Sequence, residues 1–474
     1  MEILSNPLGL LSIATYLKNH NHTVRIYESG ISKEKFKDVL KEYSPDIVGV
    51  TVMSGKAVND AIALSKKVQS AGIPVVWGGY LPTAMPELAL KTGSVDYISI
   101  GEGEYTWLDL LDSLEAGKSF ETVAGLAYMK EGVFIKTPER NLINLAELPK
   151  LDFDLIDIEQ YISPFHYSKR TLSLYSSKGC IGHCTFCYNT YYNKGRHRVR
   201  PPEQVVEEIS YLANKYNIDG IHFYDDLIFC NKDELNRFCY AYRERNLNVS
   251  WGSSSIIGLH NKEDLHIMYE AGCRMLMFGI ESGSPKMLEC VKKGIELEKV
   301  KQVCSDCEDV GIMVRMTFII GLPEETEEDL KKTVSLALSL KTAQVAINYF
   351  SIVPASGSYR QLIHRGKLKM PDTLDSFIRN NAFDKLNNIS NVPTKHLKVI
   401  YSYFVFRRFL EKNDDQTSPS TSWFKITFTS LIKILQSASL SRAYSYFNRF
   451  ISILFYNFCY PKIRKKYGLH NSKR

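Results

Sequence analysis

Three cysteines fall within eight residues of this chain, in Gly179-Cys180-Ile181-Gly182-His183-Cys184-Thr185-Phe186-Cys187-Tyr188. Thiolates bind iron–sulfur clusters well, and three on one tight loop can hold three of four irons, leaving one open to a substrate. The competing chemistry is a zinc site whose sphere is closed by His183 or His197. CxxxCxxC is not a common zinc spacing, and the loop directly follows a predicted strand, so the spacing favours a cluster. No cysteine precedes Cys180, and Met1–Asn6 shows no secretory leader. Clustered thiols in that setting read as ligands rather than disulfides. Cys304 and Cys307 form a second CxxC, but Val300, Val303 and Val310 around them keep a helical period, which marks ordinary helix thiols.

Further groups that could do chemistry stand at the ends of apolar runs. Asp225-Asp226 closes Phe223-Tyr224, and this pair could either orient a substrate or brace a loop. Glu281-Ser282 follows Phe278-Gly279-Ile280, offering a carboxylate and a hydroxyl for hydrogen bonding, with pairing to a barrel cation as the plain alternative. Gly321 could let backbone approach a ligand closely. Arg315 could meet a carboxylate or form a structural ion pair, and Pro354-Ala355-Ser356-Gly357 reads as a turn with substrate contact open to it.

The elements that must position these groups alternate helix and strand. In the first half, strands are predicted at Thr23–Tyr27, Asp46–Met53 (buried), Ile73–Trp77 and Val95–Ile100. Helices are expected over Leu8–Leu17, Lys33–Tyr43, Lys56–Ala71, Pro86–Thr92 and Glu104–Leu114, with a hairpin over 123–137. Such alternation makes a doubly wound, Rossmann-like parallel sheet with ligands at the strand carboxyl ends. Those ends are Thr51-Val52-Met53, Gly78-Gly79-Tyr80 and Gly101-Glu102-Gly103-Glu104. A second series runs through Thr171–Ser176, Gly220–Tyr224, Val249–Ser253, Arg274–Gly279, Val314–Ile320 and Gln344–Ser351. Six βα units make a partial (β/α)6 TIM-like barrel, whose chemistry belongs at the carboxyl ends. The predicted domains are 1–135, an acidic linker 136–170, a barrel 171–355 and a helical basic region 356–474. The fold class is α/β throughout the first two.

The apolar content of 44% and charged content of 23% are those of a soluble globular protein. No run approaches the roughly 18 apolar residues of a spanning helix, and a cytoplasmic address is the default. The net charge of +7 is uneven: from Gln416 onward there are ten Lys/Arg and no Asp or Glu, so the rest of the chain is net acidic. Nucleic-acid binding by the catalytic body is thereby disfavoured. Within the tail, Trp423, Phe424, Phe428, Leu431, Ile432 and Leu435 recur at helical spacing, as do Tyr446, Phe447, Phe450, Ile451, Leu454 and Phe455, ahead of Lys462-Ile463-Arg464-Lys465-Lys466. Cationic amphipathic helices of this kind cap a barrel mouth, lie on an anionic membrane surface or lipid-like substrate, or, least in favour here, contact nucleic acid.

The cysteine spacing, with an aromatic residue before the third cysteine, resembles the radical S-adenosylmethionine (SAM) superfamily. That resemblance implies a [4Fe–4S] cluster on Cys180, Cys184 and Cys187. Its open iron would chelate SAM, and one electron from a donor such as flavodoxin or ferredoxin would release a 5′-deoxyadenosyl radical. It further implies that Phe186 and Tyr188 border the adenine and that Glu281, Ser282, Arg315 and Gly321 serve the rest of SAM. Thr317–Glu324 fits the superfamily's GxIxGxxE pattern except at Thr317. Pro7-Leu8-Gly9-Leu10, Gly78-Gly79 and Gly101-Glu102-Gly103-Glu104 are similar to the cobalamin-binding domain of one large subgroup, which implies cobalamin held against Gly78, Gly79, Gly101 and Gly103.

Two departures matter. No Asp-x-His-x-x-Gly stretch exists, so histidine is not expected as a lower ligand of the cobalt. Only six residues precede Pro7, so the subgroup's first strand is expected to be missing through a misplaced start or a degenerate domain. The implied reaction is cobalamin-dependent methylation of an unactivated centre in a small metabolite. The alternatives are a radical oxidase or cyclase without methyl transfer and a non-catalytic metal-binding protein. Methylthiotransferases need a second cysteine set, absent from residues 1–170.

Overall fold

The computed structural model describes residues 5–53, 57–381, 387–414 and 460–469. It divides into two units. The first comprises Met1–Ser255, Glu263–Leu276 and Ser351–Lys385; the second comprises Ile256–Lys262, Met277–Phe350 and Leu386–Arg474.

The amino-terminal sheet of the first unit has five strands, β1 (Val48–Thr51), β2 (Val75–Gly78), β3 (Tyr97–Ser99), β4 (Leu126–Lys130) and β5 (Val133–Lys136), side by side in chain order. β1, β2 and β3 pair in parallel, and the hairpin β4–β5 extends them antiparallel. Val75, Val76 and Trp77 are fully buried, as expected of a strand covered on both faces. Val76, Leu110, Val123 and Leu126 form a core against Ile47, Tyr97 and Trp107. β1, predicted as buried, is an edge strand with alternating half-buried and exposed residues. Thr23–Tyr27 alternates in exposure but forms no ladder among the described residues, because the apolar alternation needs a pairing edge to become a strand. Within the expected linker 136–170, Ile143, Leu145 and Leu148 pack with Tyr16 and Tyr105.

The same unit continues with β6 (Ser163–Phe165), β7 (Ser168–Leu174), a ribbon of β8 (Ser177–Lys178) with β9 (Arg198–Val199), then β10 (Gly220–Phe223) and β11 (Ser250–Ser255). β7, β10 and β11 are parallel neighbours, and β6, which the sequence did not suggest, pairs antiparallel with β7. Trp251, Phe223, Phe229 and Phe238 stack edge to face with centroids 5.1–6.0 Å apart, seating helix Lys232–Glu244 on these strands.

β12 (Cys273–Glu281) runs from the first unit into the second, where β13 (Met313–Ile320) and β14 (Gln344–Tyr349) lie beyond it in strand order. β13 alternates strictly, with Val314, Met316, Phe318 and Ile320 buried. Thr326 and Asp329 form a capping box that starts helix Glu327–Ser339 after β13. The expected series of six barrel strands is thus present as β7 and β10–β14.

The apolar stripes at 423–455 lie outside the described residues. The basic run is described as a short helix, Pro461–Lys466. There Lys466 pairs with Glu327 and Arg464 lies over the Tyr403 ring, so part of this charge is used in packing. Among the described residues no helix is long and apolar enough to cross a membrane.

Candidate functional site

The cysteine loop is tied off at its base by the β8–β9 ribbon, in which Ser177 faces Val199 and Lys178 faces Arg198. Gly179 opens the loop at φ +95°, where a Cβ would stand 1.9 Å from the Arg196 carbonyl oxygen. Only glycine passes there. The Gly182 amide donates to Cys180 Sγ at 3.3 Å and the Asn189 amide to Cys187 Sγ at 3.5 Å, as amides around sulfur ligands do. All three cysteines are partly exposed, and none of the nine described cysteines is in a disulfide. Burial pushes the Cys187 thiol up to about 12, so thiolate there calls for a positive centre nearby.

Tetrahedral zinc with 2.3 Å bonds needs sulfurs about 3.8 Å apart. Among the described residues, the only group of three metal-ligating side chains whose donor atoms all lie within 4.8 Å is His197, Cys230 and Glu234, so the three loop sulfurs are not gathered around one point. His197 is grouped with Cys230 and Glu234 rather than with the loop cysteines, and its Nε2 lies 2.9 Å from the Leu227 carbonyl oxygen. Glu234 caps its helix by accepting from the Cys230 amide and the Asn231 side chain.

The adjacent carboxylates after β10 brace this loop. Asp225 accepts from the Ser176 amide and from the Ser176 and Ser177 hydroxyls. Asp226 accepts from the Gly179 amide at 3.1 Å and from the Tyr188 hydroxyl at 2.5 Å. Burial raises Asp225 to about 7 and Asp226 above the ordinary carboxylate range. Pro354–Gly357 is a turn leading into helix Gly357–His364, and the Ser358 amide donates to the Thr185 carbonyl oxygen at 2.7 Å. Phe186 is half-buried beside that contact.

The strand ends of the amino-terminal sheet meet the same loop. The Tyr80 and Tyr188 rings lie edge to face at 5.6 Å. Tyr192 donates to the Gly101 carbonyl oxygen at 2.7 Å, and Tyr191 to that of Thr83 at 3.3 Å. Tyr191 and Tyr192 were not singled out from the sequence, although the density of tyrosines after Cys187 was the available signal. A Cβ at Gly101 (φ +79°) would meet nothing within 4 Å, and at Gly78 only Ser99 Cβ at 4.0 Å. Gly79 (φ +94°) would strike the Val52 carbonyl oxygen at 2.9 Å. Gly103 differs, because a Cβ there would lie 2.6 Å from Ile13 Cδ1, so this glycine serves helix packing. Asn6 is buried beside the Pro7–Leu10 segment with both side-chain amide atoms lacking a partner among the described residues. An open glycine ledge and an orphaned buried amide are what a domain shaped around a large polar cofactor shows.

In the second unit, Glu281 ends β12 at φ +67°, a conformation costly for a non-glycine residue and frequent at functional sites. Its carboxylate folds back over Gly279 to Lys293 at 3.3 Å; burial raises its pKa and Lys293 opposes that shift. The ion pair with a barrel cation is thus present. The Ser282 hydroxyl is fully buried, 2.9 Å from Thr333 Oγ1, and accepts from the Ser284 amide. Gly321 (φ +83°) donates its amide to Glu325 at 2.7 Å, so the carboxylate bound there is Glu325, one residue past the pattern's Glu324. Arg315 stands near the amino end of β13, six residues or about 20 Å along the strand from Gly321. That separates it from the carboxyl-end position expected for a ligand contact.

The radical SAM superfamily matches residues 174–337, and the B12 binding domain matches residues 4–111. An uncharacterised methyltransferase of Pyrococcus horikoshii is 33% identical over 344 residues, spanning 70% of this chain and 73% of that protein. The chain belongs to the radical SAM superfamily. This radical SAM protein lies in the cobalamin-binding branch, and its cofactors are a [4Fe–4S] cluster, SAM and cobalamin. Its class is that of the cobalamin-dependent radical SAM methyltransferases. Cytidylyl-2-hydroxyethylphosphonate methyltransferase of Streptomyces wedmorensis is 27% identical, spanning 78% of this chain and 80% of that enzyme. The anaerobic magnesium-protoporphyrin IX monomethyl ester cyclase of Rubrivivax gelatinosus is 28% identical, spanning 71% and 63%. The fold is shared with the radical SAM methyltransferase TsrM of Kitasatospora setae, solved with cobalamin and a [4Fe–4S] cluster (TM-score 0.67, 19% identity, covering 77% of this chain and 76% of that one). It is also shared with the cobalamin-dependent radical enzyme OxsB (TM-score 0.68, 17% identity, covering 96% and 70%).

Proposed function

We propose that this enzyme methylates an unactivated carbon or phosphorus centre of a small metabolite, with Cys180, Cys184 and Cys187 holding the cluster. The observation that carries the assignment is the glycine-gated loop of three cysteines whose base ribbon is ion-paired to Glu102 and Glu104 of the cobalamin-binding domain. When bound, the cluster and SAM supply a one-electron source of a hydrogen-abstracting radical, and cobalamin supplies a methyl carrier. The protein's part is positional. Amides of Gly182 and Asn189 tune two sulfurs, Asp225 holds the strand end before the loop, Asp226 holds both ends of the loop, and Gly78 and Gly101 leave backbone open to cobalamin. Glu281 and Gly321 remain the candidates for SAM in the second unit, on the strength of their strand-end positions and positive φ. A flavodoxin- or ferredoxin-type donor would supply the electron. The phosphonate-named relative supports a small polar substrate.

Anaerobic reconstitution tests this reading. About four irons per chain, extractable cobalamin and formation of both 5′-deoxyadenosine and S-adenosylhomocysteine are expected. Zinc in place of iron, with no 5′-deoxyadenosine, would overturn the assignment; 5′-deoxyadenosine without methyl consumption would instead support a cyclase-like reaction.

A further inference from the structure

Two cations share one rung of the ribbon that closes the cysteine loop, since Lys178 on β8 faces Arg198 on β9. Both reach the Gly101-Glu102-Gly103-Glu104 strand end. Arg198 forks onto Glu102 with contacts of 2.8 and 3.0 Å, and Lys178 sits 3.3 Å from both Glu102 and Glu104. Glu104 is also bound by Ser12 at 2.5 Å, and Glu102 by the Ile143 amide at 2.9 Å. The two carboxylates are 4% and 3% exposed, against 25% and 15% for the Lys178 and Arg198 side chains. Burial pushes the Glu102 carboxyl up, but Lys178 and Arg198 together bring it below the ordinary range. A buried charge cluster is weak evidence for stability, because an apolar replacement of the same shape often serves folding equally well. Its geometry here does something apolar contacts do poorly: it sets direction and register between two segments.

We propose that the Lys178–Arg198 rung, clasped by Glu102 and Glu104, fixes the cysteine loop at a set distance from the cobalamin-binding ledge. These four are positioning residues that couple radical generation to the methyl carrier. The proposal rests on the function proposed above. Glu102 and Glu104 alternate with Gly101 and Gly103, so one four-residue segment shapes the ledge at Gly101 and clasps the loop through its carboxylates. The Tyr192 hydroxyl on the Gly101 carbonyl oxygen adds a third tie between the same two segments.

The test uses full-length holoenzyme of wild type, Glu102→Gln, Lys178→Met, Lys178→Arg and the charge-balanced Lys178→Met/Glu104→Gln. Iron, cobalamin, abortive 5′-deoxyadenosine formation and microwave-power saturation of the cob(II)alamin signal with the cluster reduced are measured for each. In Glu102→Gln and Lys178→Met, iron content and 5′-deoxyadenosine formation should hold within about twofold. Cobalamin retention should fall about tenfold, the scale on which supporting partners of a cofactor site act, and the saturation behaviour should move toward that of an uncoupled cobalt. Lys178→Arg should restore both readouts, and the charge-balanced pair should recover part of them through the intact Arg198–Glu102 fork. Variants that lose iron and cobalamin together, or keep wild-type retention and saturation, overturn the clasp. Wild-type protein that holds iron but no cobalamin overturns the functional reading, and the clasp with it.

Discussion

Gly179 and Arg196 touch across the mouth of the cysteine loop so closely that a Cβ on Gly179 would lie 1.9 Å from the Arg196 carbonyl oxygen. The contact is to backbone, so no side-chain rotation relieves it. Gly179→Ala should therefore cost at least about 3 kcal/mol through the clash and the positive φ together. Iron binding after anaerobic reconstitution should fall with the melting temperature; an alanine variant with full iron content would show that the loop can open without loss.

Asp226 should matter more to the loop than Tyr188. Asp226→Ala orphans the Gly179 amide and the Tyr188 hydroxyl at once, whereas Tyr188→Phe leaves the amide bond in place. Leaving the buried Gly179 amide unsatisfied costs about 1–3 kcal/mol, whereas the hydroxyl of the exposed Tyr188 can turn to water. Chelator-driven iron loss should be accelerated at least about tenfold in Asp226→Ala and little changed in Tyr188→Phe.

The two glycine pairs at the strand ends should part company. Gly79→Ala meets the Val52 carbonyl oxygen and a φ of +94°, and should destabilise the amino-terminal sheet by about 1–3 kcal/mol while reducing bound cobalamin. Gly103→Ala meets Ile13 Cδ1 at 2.6 Å and, less tightly, Trp107 Cδ1 at 3.3 Å, so its smaller loss should be relieved in large part by Ile13→Ala. Cobalamin extraction together with thermal unfolding separates the two cases.

Stability should carry the mark of Glu325. This carboxyl is fully buried, and burial raises it to about 8 despite the Gly321 amide bond. Its folded value lies above its unfolded one, so the folded state holds the proton longer and stability declines as pH rises from about 4.5 to 8. Glu325→Gln keeps an acceptor for the Gly321 amide and removes the titration. The denaturation midpoint of the apoprotein should fall more steeply between pH 5 and 8 in wild type than in the variant, where Asp225 and the other raised carboxyls still titrate, the difference being on the order of 2 kcal/mol.

How much was legible in the sequence follows from the range of each signal. The cysteine loop could be read directly because its ligands are neighbours along the chain. The barrel strands could be read because an apolar run recurs once per βα unit, alternating in burial in Met313–Ile320 and continuously buried in Gly220–Phe223. Thr23–Tyr27 carried the same alternation without becoming a strand, and β6 formed where no apolar run announced it; both outcomes depend on a pairing edge from elsewhere. Arg315 was close in sequence to the expected pattern, yet its place at the amino end of β13 sets it about 20 Å from the other end.

Residue types and local spacing by themselves determined the cofactor chemistry, the order of elements and the glycines where backbone must come near something. Only the tertiary structure decided the partners: that Asp225 and Asp226 brace the cysteine loop, that Glu102 and Glu104 clasp its base, and that Glu325 rather than Glu324 holds Gly321. The reason is physical. A ligand set on one loop is a local property, whereas a buried carboxylate has its role assigned by whichever donor, 49, 76 or 96 residues away, the fold brings within 3.3 Å of it.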